Sequence, residues 1–393
     1  MTRFKRSFLT LTIIFLIAFP KGGFKISGIP LTWGYLILML SSVFCLVGLF
    51  IDNSKIYFKK ERLLTLQTCL PYIAYTGLVL LTKDVESFGF LFSYILSVLF
   101  MPIMFLMVFN RVIDNENFNV LFTNVFLWCL RFVIVFGLLL FVYKLKSNRT
   151  IEIPFLTVNI DDTNSLEEKF NSRGDFFKLV STYNNGNIFG VCMLIFAPLY
   201  MSIEKYKFFR LGFFIALFLT LSRTVWIGTC IYFLLIIFRN LNGVKGWTVL
   251  VCALVFLTFC VPLALNLLNL DLSFLFDKNL GGRLEQLSAL NNITLFGEDK
   301  FKGIGEIVYT SVLQEFGVIG LVLYLGYISA PLIIYYIKKK KFSSTNLHWS
   351  LIIYIIISAS DGAILYIPTM AFYWFVASYL FKPIPKNITP QDA

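Results

Sequence analysis

The stretch LFLTLSRTVWIG, residues 217–228, sets Ser222 and Arg223 inside a run that is mostly apolar from Leu211 to Phe238. A guanidinium is a forked donor suited to phosphate oxygens, and at a bilayer centre it costs at least about 2.5 to 3.5 kcal/mol. Arg223 therefore either snorkels to lipid phosphates or waits for an anion. Three more arginines share that chemistry: Arg283 after two glycines in GGRLEQ, Arg173, and Arg131 alone inside FLWCLRFVIVF. Arg131 could equally pair with another helix. Proton transfer needs a carboxylate, and the candidates are Glu306, Asp175 and Glu315, although Glu306 is as readily an exposed loop carboxylate. STYNNGNIFG, residues 181–190, gathers Asn184, Asn185 and Asn187 around Gly186 at a helix start. Its amides and unbonded N–H groups suit an anion or a sugar, and they suit ordinary N-capping as well. Sugars held under the long outer loops would lie against aromatics such as Tyr183 and Tyr309.

The elements that hold these residues follow from composition. The chain of 393 residues is 58% hydrophobic and only 14% charged, with a mean hydropathy of +0.78. Soluble domains carry about a quarter charged residues, so this is a polytopic membrane protein. Spans need about 20 apolar residues, and twelve segments qualify or nearly so: 7–20, 31–51, 63–82, 88–109, 119–143, 185–201, 208–221, 224–238, 247–268, 307–335, 347–359 and 368–381. The expected fold class is all-α, a single integral membrane domain over 1–393. Basic residues fall on alternate connections: Arg3 to Arg6, Lys55 to Arg62, Arg111, Lys205 to Arg210, Arg239 and Lys245, the run Lys338 to Lys341, then Lys382 and Lys386. By the positive-inside rule those connections and both termini are cytoplasmic.

The net charge of +12 is thus mostly topology, and nothing points to nucleic acid. The amino-terminal segment lacks a small-residue cleavage site and reads as a retained helix. All seven cysteines fall inside spans without CxxC spacing, so neither a disulfide nor a metal cluster is expected. Two long outer connections, 144–184 and 269–306, hold much of the acidic charge. Loops of that length are usually functional or disordered. One continuous helix from Leu211 to Phe238 would run about 42 Å and invert everything after it. Two short helices meeting at Ser222–Arg223 keep the alternation and bring the arginine to the outer boundary.

With its Asn-rich motif, LTLSRTVW, an outer loop opening in GGRLEQ and closing in GIGEIVYTSVLQEFGVIGLVLYL, the region 181–325 resembles the O-antigen polymerase and O-antigen ligase superfamily. The resemblance implies a GT-C-like fold and metal-independent transfer of glycans carried on undecaprenyl pyrophosphate, with no cofactor. It implies pyrophosphate contacts for Arg223 and Arg283. In the ligases a histidine stands eleven residues before the glycine of E-x-G-x-x-G; counting back from Gly317 gives Glu306. The sole histidine, His348, adjoins the basic run 338–341, which favours polymerase over ligase. Implied partners are undecaprenyl-pyrophosphate-linked oligosaccharides, membrane lipids, a chain-length regulator and a flippase, in a bacterial cytoplasmic membrane with the site facing the periplasm. The rival class is a flippase or transporter. Such proteins often show repeated halves and midplane charges, whereas here the halves differ and the polar mass is external.

Overall fold

The computed structural model describes residues 3–26, 29–51, 59–160, 172–173, 176–240, 293–338 and 346–382, together with 248, 266, 286–287 and 290. Twelve helices organise them. They are α1 (Arg3–Ile17), α2 (Trp33–Ile51), α3 (Lys60–Thr82), α4 (Phe88–Val108), α5 (Asn110–Asp114), α6 (Glu116–Ser147), α7 (Gly186–Ile203), α8 (Lys207–Leu219), α9 (Arg223–Asn240), α10 (Val308–Lys338), α11 (Leu347–Ile357) and α12 (Ile367–Leu380). Every expected span except 247–268 holds one of these helices, and that segment lies almost wholly outside the described residues. Five of them, α3, α4, α6, α7 and α10, are long and apolar enough to cross a bilayer. Large apolar side chains such as Leu81, Phe88, Trp128 and Phe208 stand exposed on the outside of the bundle. On a water-soluble chain so much exposed apolar surface would be anomalous; on a multi-pass helical membrane protein it faces lipid.

The core forms around α7, which is buried along nearly its whole length and enclosed by α9, α11 and α12. Small residues allow the close approach that membrane helices use in place of hydrophobic driving force. A methyl at Gly190 would meet the Val225 side chain at 2.1 Å, and one at Gly228 would meet Leu194 at 2.5 Å. Helix α3 lies along α10. Helix α4 contains two π-helical turns, Leu96–Phe100 and Met104–Val108, on either side of Pro102, a usual accommodation of a missing backbone donor.

Three small ribbons add to the all-α plan. An antiparallel hairpin joins β1 (Gly23–Ile26) to β2 (Ile29–Thr32), so the second helix starts at Trp33 and not at the expected residue 31. A parallel pair joins β3 (Asp84–Val85) to β6 (Lys300–Phe301), and β4 (Ser172–Arg173) pairs with β5 (Phe176–Phe177).

A larger departure is in α10, expected to be one uninterrupted helix. Gly317 breaks it at φ 68°, ψ −172°, a conformation that strongly favours glycine. Backbone groups freed in a membrane helix need protein partners, and five around the break find one outside the helix. The Gln314 carbonyl accepts from Glu298 N–H at 2.9 Å, and the Glu315 carbonyl accepts from Lys83 Nζ. The Phe316 carbonyl accepts from the Tyr75 hydroxyl at 2.8 Å. Beyond the break, Val318 and Ile319 N–H groups donate to the Thr294 and Leu295 carbonyls.

Among the described residues, several connections expected on one side of the membrane contact one another. On the expected outer side Leu179 N–H bonds the Leu219 carbonyl, Trp33 Nε1 donates to the Phe155 carbonyl, Asp84 pairs with Lys300, and Gly362 N–H donates to the Glu306 carbonyl. On the expected inner side, Arg62 is enclosed: its guanidinium donates to both Asp114 carboxyl oxygens at 3.0 and 3.1 Å and to the Ser378 carbonyl at 2.9 Å. Lys59 sits 2.7 Å from the same Asp114 carboxylate.

Candidate functional site

The hairpin between α8 and α9 is the turn that the charge alternation required. Helix α8 ends at Leu219 and α9 begins at Arg223, with Leu221 at φ 49° between them. Thr220 and Ser222 are buried, and the Ser222 carbonyl accepts from Trp226 N–H at 3.0 Å, starting the new helix. The Trp226 ring stacks on Phe218 at 5.1 Å, and its Nε1 donates to the Phe218 carbonyl. A buried turn closed this way holds Arg223, half-buried, at the first position of α9.

From there a hydrogen bond leads to the next segment. Thr224 Oγ1 lies 2.8 Å from Ser360 Oγ, within the connection 358–366 between α11 and α12. That connection is folded tightly: Ser360 and Asp361 N–H groups both bond the Ile357 carbonyl at 2.9 Å, and Tyr354 donates its hydroxyl to the Gly362 carbonyl. Its other side holds the entry to α10. Gly362 N–H donates to the Glu306 carbonyl at 3.1 Å, and Val308 N–H donates to the Ser358 carbonyl at 3.2 Å. The Glu306 residue itself is exposed. Gln286, three residues past Arg283, accepts from Ile307 N–H at 3.0 Å. Tyr309, half-buried, donates to the Ile355 carbonyl, and its ring lies 6.0 Å from Tyr324.

The Asn cluster reaches the same end. Asn185 caps α7 by accepting from Asn187 and Ile188 N–H groups at 2.8 and 3.3 Å, so the capping reading of this motif holds for Asn185. Asn184, in the left-handed region at φ 56°, and Asn187 are buried. Gly186 lies against the α8–α9 turn: a methyl there would stand 3.2 Å from the Thr220 carbonyl. The sequence-picked Asn motif and Arg223 hairpin are therefore neighbours.

Other candidates are placed elsewhere. Arg131, considered for pyrophosphate, forms a two-pronged ion pair with Glu204 at 2.7 and 2.8 Å, with its guanidinium 4.7 Å from the Phe209 ring centre. The Arg131 hydrogen bonds hold the Glu204 carboxyl below the usual range. Tyr183, considered for sugar contact, is fully buried, edge-on to Phe189, and its hydroxyl donates to the Ile17 carbonyl at 2.9 Å. Its ring and hydroxyl are both committed to the core. Glu315 is buried beneath the strand of chain from 293 to 302, where one carboxyl oxygen accepts from Lys302 N–H at 3.1 Å. Nearby, Lys302 holds the Glu298 carboxyl below its usual range while burial pulls Lys83 below its own. Asp175 and Arg283 lie outside the described residues; so does the Arg173 side chain, whose backbone pairs with Phe176.

Sequence reasoning passed over Ser360 and Asp361. Asp361 is only 3% exposed beside the Glu306 backbone, and the signal for it was SASDG, a run of small and polar residues between two apolar segments. Gln286 was also passed over, since an amide in a long loop carries no periodic signal. Set against family models, curated proteins and solved structures, the chain matches none, and the functional reading rests on its own residues.

Proposed function

We propose that this chain is a glycosyltransferase that polymerises undecaprenyl-pyrophosphate-linked oligosaccharide repeat units of O-antigen or capsule type. The scaffold in this reading is a twelve-span, GT-C-like bundle in the bacterial cytoplasmic membrane, with the reaction at the periplasmic face. The observation that carries it is the connection 358–366, which touches the helix start bearing Arg223 on one side and the Glu306 backbone on the other. An arginine and a carboxylate thus border one segment at the end of the bundle where the Asn motif also lies.

The bond that breaks joins the anomeric carbon of the donor glycan to a diphosphate oxygen. The bond that forms joins that carbon to a hydroxyl oxygen of the acceptor repeat unit. Arg223, with Arg283 arriving from the second long loop, takes the growing charge of the departing diphosphate through forked N–H donors, the role a divalent cation plays elsewhere. Glu306 accepts the acceptor hydroxyl's proton, which needs an approach of about 3 Å directly or through one water. Glu306 is preferred to Glu315 because it is exposed beside Gly362, whereas Glu315 is covered by the chain that bonds it.

Purified chain supplied with lipid-linked repeat units is expected to build ladders of increasing length in the presence of a chelator. The double variant Arg223→Ala, Arg283→Ala is expected to lose them. Wild-type ladders from that variant would remove the mechanism, and accumulation of single repeats on the inner leaflet of a deletion strain would favour a flippase.

A further inference from the structure

The connection between α7 and α8, with the first turn of α8, gathers positive charge that nothing around it cancels. Its one carboxylate, Glu204, is fully buried and already engaged. Arg131 takes both of its oxygens at 2.7 and 2.8 Å, Tyr206 N–H donates to one at 2.9 Å, and the Tyr200 hydroxyl donates to the other at 3.3 Å. Lys205 and Lys207, both exposed, and Arg210, half-buried, are left without an ion pair among the described residues. Arg210 gives Nε to the Glu204 carbonyl at 2.6 Å, which holds its guanidinium beside the connection. Its two terminal nitrogens have no hydrogen-bond partner among the described residues. The helices packed here cannot supply the missing charge: α7, α8 and α9 hold no carboxylate, and α6 holds only Glu116, at its start.

The positive-inside rule accounts for basic residues at a connection expected to be cytoplasmic. It does not account for the apolar surface that continues from them. Phe208, Leu211 and Ile215 follow one another along α8 at helical spacing, and they stand 76%, 60% and 43% exposed. The stripe runs about 10 Å along the helix from the cations. Ammonium and guanidinium donors suit phosphate oxygens, and an adjoining apolar stripe suits the hydrocarbon chain of the same molecule. A free phosphate ion would use the cations alone. The surface is open, since five of these six residues are exposed, so a ligand can reach it from the lipid without entering the bundle.

We infer that the α7–α8 connection and the start of α8 bind an anionic phospholipid of the membrane, with Lys205, Lys207 and Arg210 on its phosphate and an acyl chain along Phe208, Leu211 and Ile215. No bond is formed or broken there. Arg131 serves the site indirectly: by neutralising Glu204 it leaves the three other cations to the lipid. The inference stands apart from the glycan-transfer reading, since none of the residues that hold the lipid is assigned to transfer.

The purified full-length chain is placed in phosphatidylcholine nanodiscs containing a minority of phosphatidylglycerol. Native mass spectrometry counts the lipids that stay bound, and the melting temperature is read alongside. Wild type is expected to retain phosphatidylglycerol in preference to phosphatidylcholine. Lys205→Gln combined with Lys207→Gln is expected to weaken that retention about tenfold. Its melting temperature in phosphatidylcholine alone should match wild type, because both side chains are exposed. Lys144→Gln combined with Lys146→Gln removes the same charge from the last turn of α6 and is expected to bind as wild type does. Leu211→Ser is expected to weaken retention as well, through the chain contact. Equal retention of the two lipids by wild type overturns the inference, and so does unchanged binding in the Lys205, Lys207 variant. An equal loss in both lysine pairs overturns it too, because net charge alone then explains the binding. Displacement of phosphatidylglycerol by soluble glycerol 1-phosphate would make the occupant a free phosphate and overturn the lipid assignment.

Discussion

Arg131 and Arg223 look alike in sequence, each a lone cation in an apolar run, and the structure commits Arg131 to an ion pair. Arg131 meets the buried Glu204 carboxylate, which also accepts from Tyr206 N–H at 2.9 Å. Glu204 titrates below its ordinary value in the fold, so its contribution is fully present above the unfolded carboxylate pKa, about 4.3. It is lost as pH falls through the lower folded value. Glu204→Gln is therefore expected to lower the melting temperature at pH 7 and to flatten the acid limb of a melting-temperature profile. An unchanged profile would mean that the pair contributes nothing. Arg223 and Glu306 act on substrate in the proposed reading. Glu306→Gln is expected to reduce ladder formation about 10²- to 10⁴-fold while leaving the melting temperature in place; retained activity would move the proton acceptor to another carboxylate. The Arg223 turn was legible because a charge in lipid is costly and the basic residues alternate. The role of Tyr183 was not, because an aromatic beside amides looks the same whether its hydroxyl meets a sugar or the Ile17 carbonyl.

Among elements, α10 shows what periodicity hides. Its sequence is apolar and long enough to span without interruption. Only the chain from 293 to 302, with Lys83 and Tyr75, reveals why the helix can break: these groups satisfy the carbonyl and N–H groups that Gly317 releases. Gly317→Ala places a methyl 2.1 Å from the Leu295 carbonyl oxygen at a positive φ. The expected cost is about 3 kcal/mol, measured as a fall in melting temperature with loss of activity. An alanine variant as stable as wild type would show that the helix closes without the break. The Arg62 tie was hidden for a different reason. Arg62 counts as one more inner basic residue until Asp114 and Ser378, far away in sequence, enclose it. Removing one partner of a buried ion pair typically costs about 3 to 5 kcal/mol, so Arg62→Ala is expected to prevent accumulation of folded protein, with Asp114→Ala producing the same defect. A fully folded Arg62→Ala protein would show that its hydrogen bonds are dispensable.

At the scale of the whole molecule, hydropathy was enough to anticipate a multi-pass helical bundle. The small ribbons were beyond reach, since strands of two to four residues carry no usable periodicity and exist through pairings as distant as Asp84 with Lys300. In the proposed reading the half-buried Arg223, the exposed Glu306 and the buried Asn184 and Asn187 serve transfer, while Arg62 and Asp114 form a separate tie. The most direct measurement is single-turnover release of radiolabelled undecaprenyl pyrophosphate from a lipid-linked repeat unit by wild type and Arg223→Ala. Wild type should release one carrier for each repeat joined, and Arg223→Ala should slow release about 10²- to 10³-fold with the KM for the acceptor unchanged. Carrier release by Arg223→Ala at the wild-type rate would contradict the placement of the leaving group at Arg223.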